Sequence, residues 1–100
     1  MAQVTVQNRL GENEGCFTGN AEESLGVQAQ DEGIPVPFSC GVGACRTCMC
    51  TVLEGLEHID REAVGPQQIP TEEDAILSCI ASLREDTPPD AQVTLRSENL

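Results

Sequence analysis

The stretch that decides how this chain folds is Cys40-Gly41-Val42-Gly43-Ala44-Cys45-Arg46-Thr47-Cys48, which places three cysteines in one short loop. A fourth cysteine, Cys79, follows much later in the chain. A short loop can wrap three thiolates around a small metal cluster, and a separate segment must then close the far side. Gly41 and Gly43 permit the tight backbone that such a wrap requires, and their amides can point at anionic sulfur as backbone nests do. The pattern therefore predicts a site with four thiolate ligands, Cys40, Cys45, Cys48 and Cys79.

Other interpretations of these cysteines agree less well with the sequence. A structural zinc site normally has two close pairs of ligands, whereas only Cys45 and Cys48 form a C-x2-C pair. A secreted disulfide scaffold also uses an even number of cysteines, but the chain begins with strand-like residues and shows no apolar export segment. No βαβ pattern suggests a thioredoxin-like redox pair, and His58, the only histidine, cannot supply the two histidines of a Rieske centre. An iron–sulfur cluster is the favoured interpretation.

The spacing C-x4-C-x2-C with a distant fourth cysteine is similar to that of plant-type [2Fe–2S] ferredoxins. The flanking segments also resemble that family. Pro37-Phe38-Ser39-Cys40 resembles the approach to its cluster loop, and Ile76-Leu77-Ser78-Cys79-Ile80-Ala81 resembles the apolar segment that carries its fourth ligand. The resemblance implies an α+β fold of the β-grasp type, with a mixed sheet, one main helix packed across it and a cluster-binding loop. It also implies one [2Fe–2S] cluster, held by Cys40, Cys45, Cys48 and Cys79.

The same resemblance implies a function. The protein is expected to be a soluble one-electron carrier, not an enzyme, that passes electrons from a reductase to an acceptor enzyme at a low potential, about −400 mV for this family. Cys40 and Cys45 would hold the iron nearer the surface, which is the one reduced, and Cys48 and Cys79 the other iron. The alternative is a structural or regulatory metal-cluster module, or a zinc-stabilised adaptor, without electron transfer.

Some residues differ from the photosynthetic members of the family. Gly41 replaces an arginine, Arg46 replaces a small residue, and no Phe or Tyr lies between the third and fourth ligands. These differences indicate a bacterial, freestanding, non-photosynthetic relative that serves nitrogen fixation or an oxygenase system. Near a cluster, Arg46 would favour the reduced state and raise the potential. The alternative is that Arg46 points to solvent or pairs with a nearby carboxylate. The hydroxyls of Ser39 and Thr47 are candidate hydrogen-bond donors to sulfur.

The charge of the chain restricts its partners. There are 17 acidic residues and 5 basic ones, so the net charge is −12. This charge disfavours nucleic acid and anionic membranes as partners, and the basic surface of a redox protein, either a reductase or an acceptor, is expected to bind in a salt-sensitive way. The alternative is that the acidic excess only keeps the protein soluble. Two acidic patches are predicted around the loop. The first comprises Glu22, Glu23, Asp31 and Glu32, and the second comprises Asp60, Glu62, Glu72, Glu73 and Asp74.

The length of the chain, 100 residues, suits one compact domain over 1–100. No apolar run approaches the length of a membrane span. We expect a monomer located in the cytoplasm.

Hydrophobic periodicity and turn residues predict the elements. Strands are expected over 2–8, 15–19, 49–56 and 92–96, a helix over 24–32, and turns over 10–15 and 88–90. Ser24 is the predicted N-cap of the helix and Gly33 its C-terminal glycine. A short helix is also expected within 58–68, broken at Gly65-Pro66, and Thr71-Glu72-Glu73-Asp74 predicts a further helix start.

Cys16 and Cys50 lie outside the motif. Both are expected to be small buried apolar residues and not ligands. A disulfide between them is the alternative.

Overall fold

The main sheet is mixed, and it pairs a strand near the start of the chain with a strand near its end. The computed structural model describes residues 2–37 and 47–100. The elements are β1 (Gln3–Gln7), β2 (Asn13–Thr18), α1 (Leu25–Asp31), β3 (Met49–Glu54), β4 (Ile59–Asp60), β5 (Ala75–Leu77), β6 (Ser82–Leu83) and β7 (Gln92–Ser97), with a 3-10 turn at Leu56–His58.

The strand order is β2-β1-β7-β3-β5, and β4 pairs with β6 in a separate two-stranded sheet. Strand β1 runs parallel to β7, whereas the other pairs in both sheets are antiparallel. This mixed sheet with one packed helix is the predicted β-grasp arrangement of the α+β class, which is confirmed.

The core lies between one face of the main sheet and α1. Val4 and Val6 of β1 and Val93 and Leu95 of β7 alternate with more exposed residues and are all buried. Leu25 and Ala29, four residues apart on α1, belong to the same buried cluster. The buried side chains that alternate along the strands therefore pack in one interface with those spaced i,i+4 on the helix, as both patterns predict.

Helix α1 is held by side chains at its N-terminal end. The Ser24 hydroxyl accepts a hydrogen bond from the Val27 N–H at 3.3 Å, which confirms the predicted N-cap. Gly33 has a φ of +81°, the left-handed conformation expected after the end of a helix. The buried Gln28 side chain donates to the carbonyls of Asn20 and Glu23 at 3.0 and 2.6 Å. These bonds fix a short helix that contains an unfavourable Gly26.

No helix among the described residues has the length and apolar character needed to cross a membrane.

The two further helices predicted between β3 and Cys79 are wrong. The 3-10 turn ends at His58, β4 begins at Ile59, and the segment over 71–74 leads into β5. All three residues of β5, Ala75–Leu77, are buried. Burial of these residues in a strand stabilises the fold more than a helix cap at Thr71 would. A cap contributes about 0.5–2 kcal/mol, whereas burial of each large apolar side chain contributes about 1.5–3 kcal/mol.

Strand ends also differ from the predictions. Strand β3 ends at Glu54, because Gly55 turns the chain with a φ of +88°. Strand β2 begins at Asn13, inside the predicted turn.

Candidate metal centre

Cys79 lies in a tight turn at the end of a buried strand. Strand β5 is followed by a turn in which the N–H groups of Ile80 and Ala81 both donate to the Leu77 carbonyl at 3.0 Å. Ser78, Cys79 and Ile80 are exposed by only 1%, 4% and 2%. The turn therefore presents the Cys79 side chain to the interior.

Cys48 is tied directly to this turn. It precedes β3 and is exposed by 1%. The Cys48 carbonyl accepts two hydrogen bonds from Ser78, one from its hydroxyl at 2.7 Å and one from its backbone N–H at 3.2 Å. Because Ser78 is the residue before Cys79, these bonds bring together two of the four predicted ligands that are distant in sequence.

The carbonyls on either side of Cys48 are held as well. The Asn99 side-chain amide donates to the Thr47 carbonyl at 3.0 Å, and the Glu98 N–H donates to the Met49 carbonyl at 3.0 Å. Three consecutive carbonyls are thus fixed by residues from other segments. The end of the cysteine loop is anchored to both β5 and the residues after β7.

The turn that carries Cys79 is also bonded to α1 and to the segment after β4. The N–H groups of Leu25 and Gly26 donate to the carbonyls of Ala81 and Ser78, both at 2.8 Å. The Val64 N–H donates to the Ile80 carbonyl at 3.0 Å. The Cys79 turn is therefore fixed from several sides.

Cys48 and Cys79 share a small apolar cluster with Leu77 and Ile80, against which Met49 and Ile69 pack. This cluster is separate from the main core. Soft thiolate ligands suit iron–sulfur clusters, and a buried apolar shell limits the access of solvent to such a centre. The chemistry and position of these two side chains fit one side of a four-thiolate cluster site.

The other two predicted ligands, Cys40 and Cys45, lie outside the described residues, as do Ser39 and Arg46. Within 2–37 and 47–100, no three His, Cys, Asp or Glu side chains are arranged to hold a metal ion. Of the four predicted ligands, the structure therefore describes two, Cys48 and Cys79.

The sequence of residues 9–84, which includes all four of these cysteines, matches the family described as "2Fe-2S iron-sulfur cluster binding domain". The chain belongs to this family. A member of the 2Fe-2S domain family holds a single [2Fe–2S] cluster, and the resemblance to plant-type ferredoxins is confirmed.

Several curated proteins are similar to this 2Fe-2S domain. Ferredoxin-2 of a Synechococcus species is 35% identical over 71 residues, which are 70% of this chain and 66% of the relative. Ferredoxin-1 of Haloarcula marismortui is 32% identical over 71 residues, which are 71% of this chain and 55% of the relative. This chain therefore matches just under two thirds of one ferredoxin and about half of the other.

Solved structures support the fold of the 2Fe-2S domain. The ISC-like [2Fe-2S] ferredoxin FdxB of Pseudomonas putida superposes with a TM-score of 0.71 at 19% identity, and the match covers 100% of this chain and 94% of that one. Phthalate dioxygenase reductase gives a TM-score of 0.60 at 21% identity, covering 95% of this chain and 26% of the reductase.

The two cysteines outside the motif differ from one another. Cys50 is fully buried in the main core, as predicted, and burial raises the pKa of its thiol to about 12. Cys16 is exposed on β2, so the prediction that it is buried is wrong. A disulfide between them is also excluded, because β1 and β7 lie between β2 and β3. That arrangement separates the two by about 14 Å, and a disulfide needs Cα atoms within about 7 Å.

His58 is a partly exposed polar residue. Its Nε2 lies 3.5 Å from the Glu57 carboxylate, and its backbone carbonyl accepts a hydrogen bond from the Arg84 N–H at 2.8 Å.

Ser78 and Asn99 were missed by sequence reasoning as residues of this site. A signal existed for Ser78, since it is a polar residue within the apolar stretch Ile76–Ala81, and buried polar groups must find hydrogen-bond partners. Asn99 offered no comparable signal, because its contact depends on where the residues after β7 lie.

Proposed function

We propose that this protein is a one-electron carrier that receives low-potential electrons from a reductase and passes them to an acceptor enzyme. Its single [2Fe–2S] cluster would be bound by Cys40, Cys45, Cys48 and Cys79. The observation that carries the proposal is the juxtaposition of Cys48 and Cys79 in one buried apolar cluster, within a chain whose cysteine spacing is that of the family.

When bound, the cluster would supply a site that accepts and releases one electron. The protein's own residues hold the ligands and exclude water. Ser78 and Asn99 fix the backbone at Cys48, while Leu77 and Ile80 shield the two thiolates. No described group of acid, base and nucleophile is needed for this role, since no substrate bond is broken.

An oxygenase-type system is the favoured setting. The ferredoxin reductase component of a Rhodococcus rhodochrous 3-ketosteroid-9-alpha-monooxygenase is 43% identical over 51 residues, which are 50% of this chain and 14% of that protein. Phthalate dioxygenase reductase shares the fold. We infer that this domain, over 1–100, acts as a cytoplasmic monomer beside a reductase and an oxygenase of this kind.

The described structure supports a basic partner surface. All nine acidic residues of the two predicted patches are exposed. The first patch borders a groove of about 100 Å³ lined by Glu23, Asp31 and Glu32.

Arg61 connects the two halves of the second patch. Its guanidinium donates to the carbonyls of Glu73 and Ala75. This contact holds Asp60 and Glu62 beside Glu72, Glu73 and Asp74.

The decisive test is the composition of the purified protein. We expect a red-brown protein with about two irons and two acid-labile sulfides per chain that takes up one electron. Replacement of Cys40, Cys45, Cys48 or Cys79 by Ala should abolish cluster assembly. Cys16→Ala and Cys50→Ala are the matched controls, and both should retain the cluster. A colourless protein with stoichiometric zinc would contradict the proposal and favour the adaptor alternative.

A further inference from the structure

We propose that Ser78 is a positioning residue for the cluster, because it couples the two ligand segments that carry Cys48 and Cys79. The proposal rests on the ligand assignment above. It adds a role for a residue that does not itself ligate the metal.

The geometry at Ser78 is specific. Its hydroxyl and its backbone N–H donate to the same Cys48 carbonyl oxygen, at 2.7 and 3.2 Å. A carbonyl oxygen has two lone pairs, so Ser78 can supply both of its short hydrogen bonds, while the Cys50 thiol is a weaker donor at 3.7 Å. Ser78 is exposed by 1%, and its hydroxyl is therefore shielded from competing water.

The consequence concerns both ligands at once. The carbonyl belongs to Cys48 itself, and Ser78 is covalently joined to Cys79, so the hydrogen bonds link the two ligand residues through one peptide bond. Loss of the cluster requires the ligand segments to separate. Removing the hydroxyl leaves the backbone N–H as the remaining hydrogen-bond donor from Ser78. The equilibrium constant for separation of the two ligand segments should then rise by about two- to tenfold, which is the usual contribution of one such hydrogen bond.

Ser97 provides a matched control. It is fully buried and lies directly opposite Cys50 in the pairing of β3 with β7. Its hydroxyl oxygen forms no hydrogen bond with Cys48, Ser78 or Cys79 among the described residues, and it lies beside the Cys50 thiol. Ser97→Ala therefore removes a hydroxyl of equal burial without breaking a link between ligands.

The experiment compares Ser78→Ala and Ser97→Ala with the wild-type holo-protein. The measurements are the rate of cluster loss to excess EDTA, followed by visible absorbance, the EPR spectrum of the reduced cluster, and the reduction potential. We expect Ser78→Ala to lose the cluster two- to tenfold faster and to show shifted EPR g-values or a shifted potential. Ser97→Ala should match the wild type in all three. A Ser78→Ala protein that matches the wild type in all three would overturn the proposal.

A second pair of variants is used if the Ser78→Ala protein fails to assemble the cluster. Ser78→Thr and Ser78→Val have nearly the same shape and differ in the hydroxyl. Slower cluster loss in the Thr variant than in the Val variant supports the proposal, and equal behaviour contradicts it. Failure of the ligand assignment would be seen separately, as cluster retention in Cys48→Ala or Cys79→Ala.

Discussion

At the scale of single residues, Cys16 and Cys50 show how position decides the chemistry of a thiol. Burial in the main core keeps Cys50 protonated, since it raises the pKa of its thiol to about 12. The Cys50 thiol also donates to the Cys48 carbonyl at 3.7 Å. Cys16, on the edge strand β2, is exposed to solvent. Only thiolates react rapidly with alkylating agents, so the two residues should differ in reactivity.

We predict that iodoacetamide modifies Cys16 and spares Cys50 in the holo-protein at pH 8.5. The difference should persist as the pH rises from 9 toward 11, because the raised pKa keeps the Cys50 thiol protonated over that range. Peptide mass spectrometry after a short labelling time gives the occupancy of each site. Cys16→Ala, as the control, should leave the native protein nearly unlabelled. Labelling of Cys50 at a rate similar to that of Cys16 would show that the core around β3 is open.

At the scale of elements, the end of β3 depends on one glycine. Gly55 has a φ of +88°, and a Cβ atom placed there would lie 2.6 Å from the Gln92 carbonyl oxygen and 2.9 Å from a Val93 methyl carbon. The close approach lets β3 turn beside the start of β7. Gly11 has a similar φ of +83°, but nothing lies within 4 Å of its Cβ position.

This pair separates backbone strain from steric clash. Gly11→Ala should destabilise the protein by about 1 kcal/mol through strain alone, which lowers the midpoint of thermal unfolding by about 4–8 °C in a domain of this size. Gly55→Ala should lower it by at least about twice as much, because backbone atoms of β7 must also move. The measurement is the loss of cluster absorbance at one fixed scan rate, so that the two variants and the wild type are compared under the same conditions. Equal shifts in the two variants would show that the β7 backbone moves away from residue 55 at little cost in free energy.

At the scale of the whole molecule, charge and sheet topology together define a reactive end. Cys48 precedes the first residue of β3, and β7 runs antiparallel to β3. Glu54 and Asp90, near the end of β3 and the start of β7, therefore lie at the end of the sheet away from Cys48. Strand β3 alone spans about 17 Å at the usual rise per residue. The first patch lies beside the segment that follows Cys79, because the Ser82 hydroxyl donates to the Glu23 carbonyl at 2.6 Å. The second patch was predicted to lie near Cys79, but its Glu72, Glu73 and Asp74 lie toward the Glu54 end of β3, since β5 runs antiparallel to β3 and the Val52 N–H donates to the Asp74 carbonyl at 2.7 Å.

We predict that electron transfer from the reduced protein responds oppositely to salt with two small oxidants. Oxidation by the cation hexaammineruthenium(III) should slow as ionic strength rises from about 10 to 300 mM, because screening weakens its attraction to the net charge of −12. Oxidation by the anion ferricyanide should accelerate over the same range. Stopped-flow absorbance measures both rates. Rates that do not change with salt would contradict electrostatic docking.

Charge reversal locates the docking surface. The double variant Glu22→Lys/Glu23→Lys should slow the reaction with the cation most. Glu72→Lys/Glu73→Lys and Glu54→Lys/Asp90→Lys change the net charge equally but toward the other end of β3, so they should slow the reaction less. Equal effects of all three would show that net charge, and not the first patch, governs the encounter.

Much of the fold was predictable because its signals are local. Val4 with Val6, and Val93 with Leu95, alternate in the strand period, and Ser24 and Gly33 end α1 with side-chain and backbone preferences that act within a few residues. The helix predicted from Thr71 failed for the opposite reason. Its cap signal was outweighed by burial of β5 against a strand more than twenty residues away.

The sequence by itself determined the charge and the fold class and predicted the donor set, because cysteine spacing, acidic composition and hydrophobic period are properties of neighbouring residues. Only the tertiary structure decided that Ser78 binds the Cys48 carbonyl, that Asn99 binds the Thr47 carbonyl, and that Cys16 is exposed while Cys50 is buried. These features depend on strand order and register, which are set by the joint burial of distant segments. A hydrogen bond between such segments forms only where that packing brings donor and acceptor within about 3 Å.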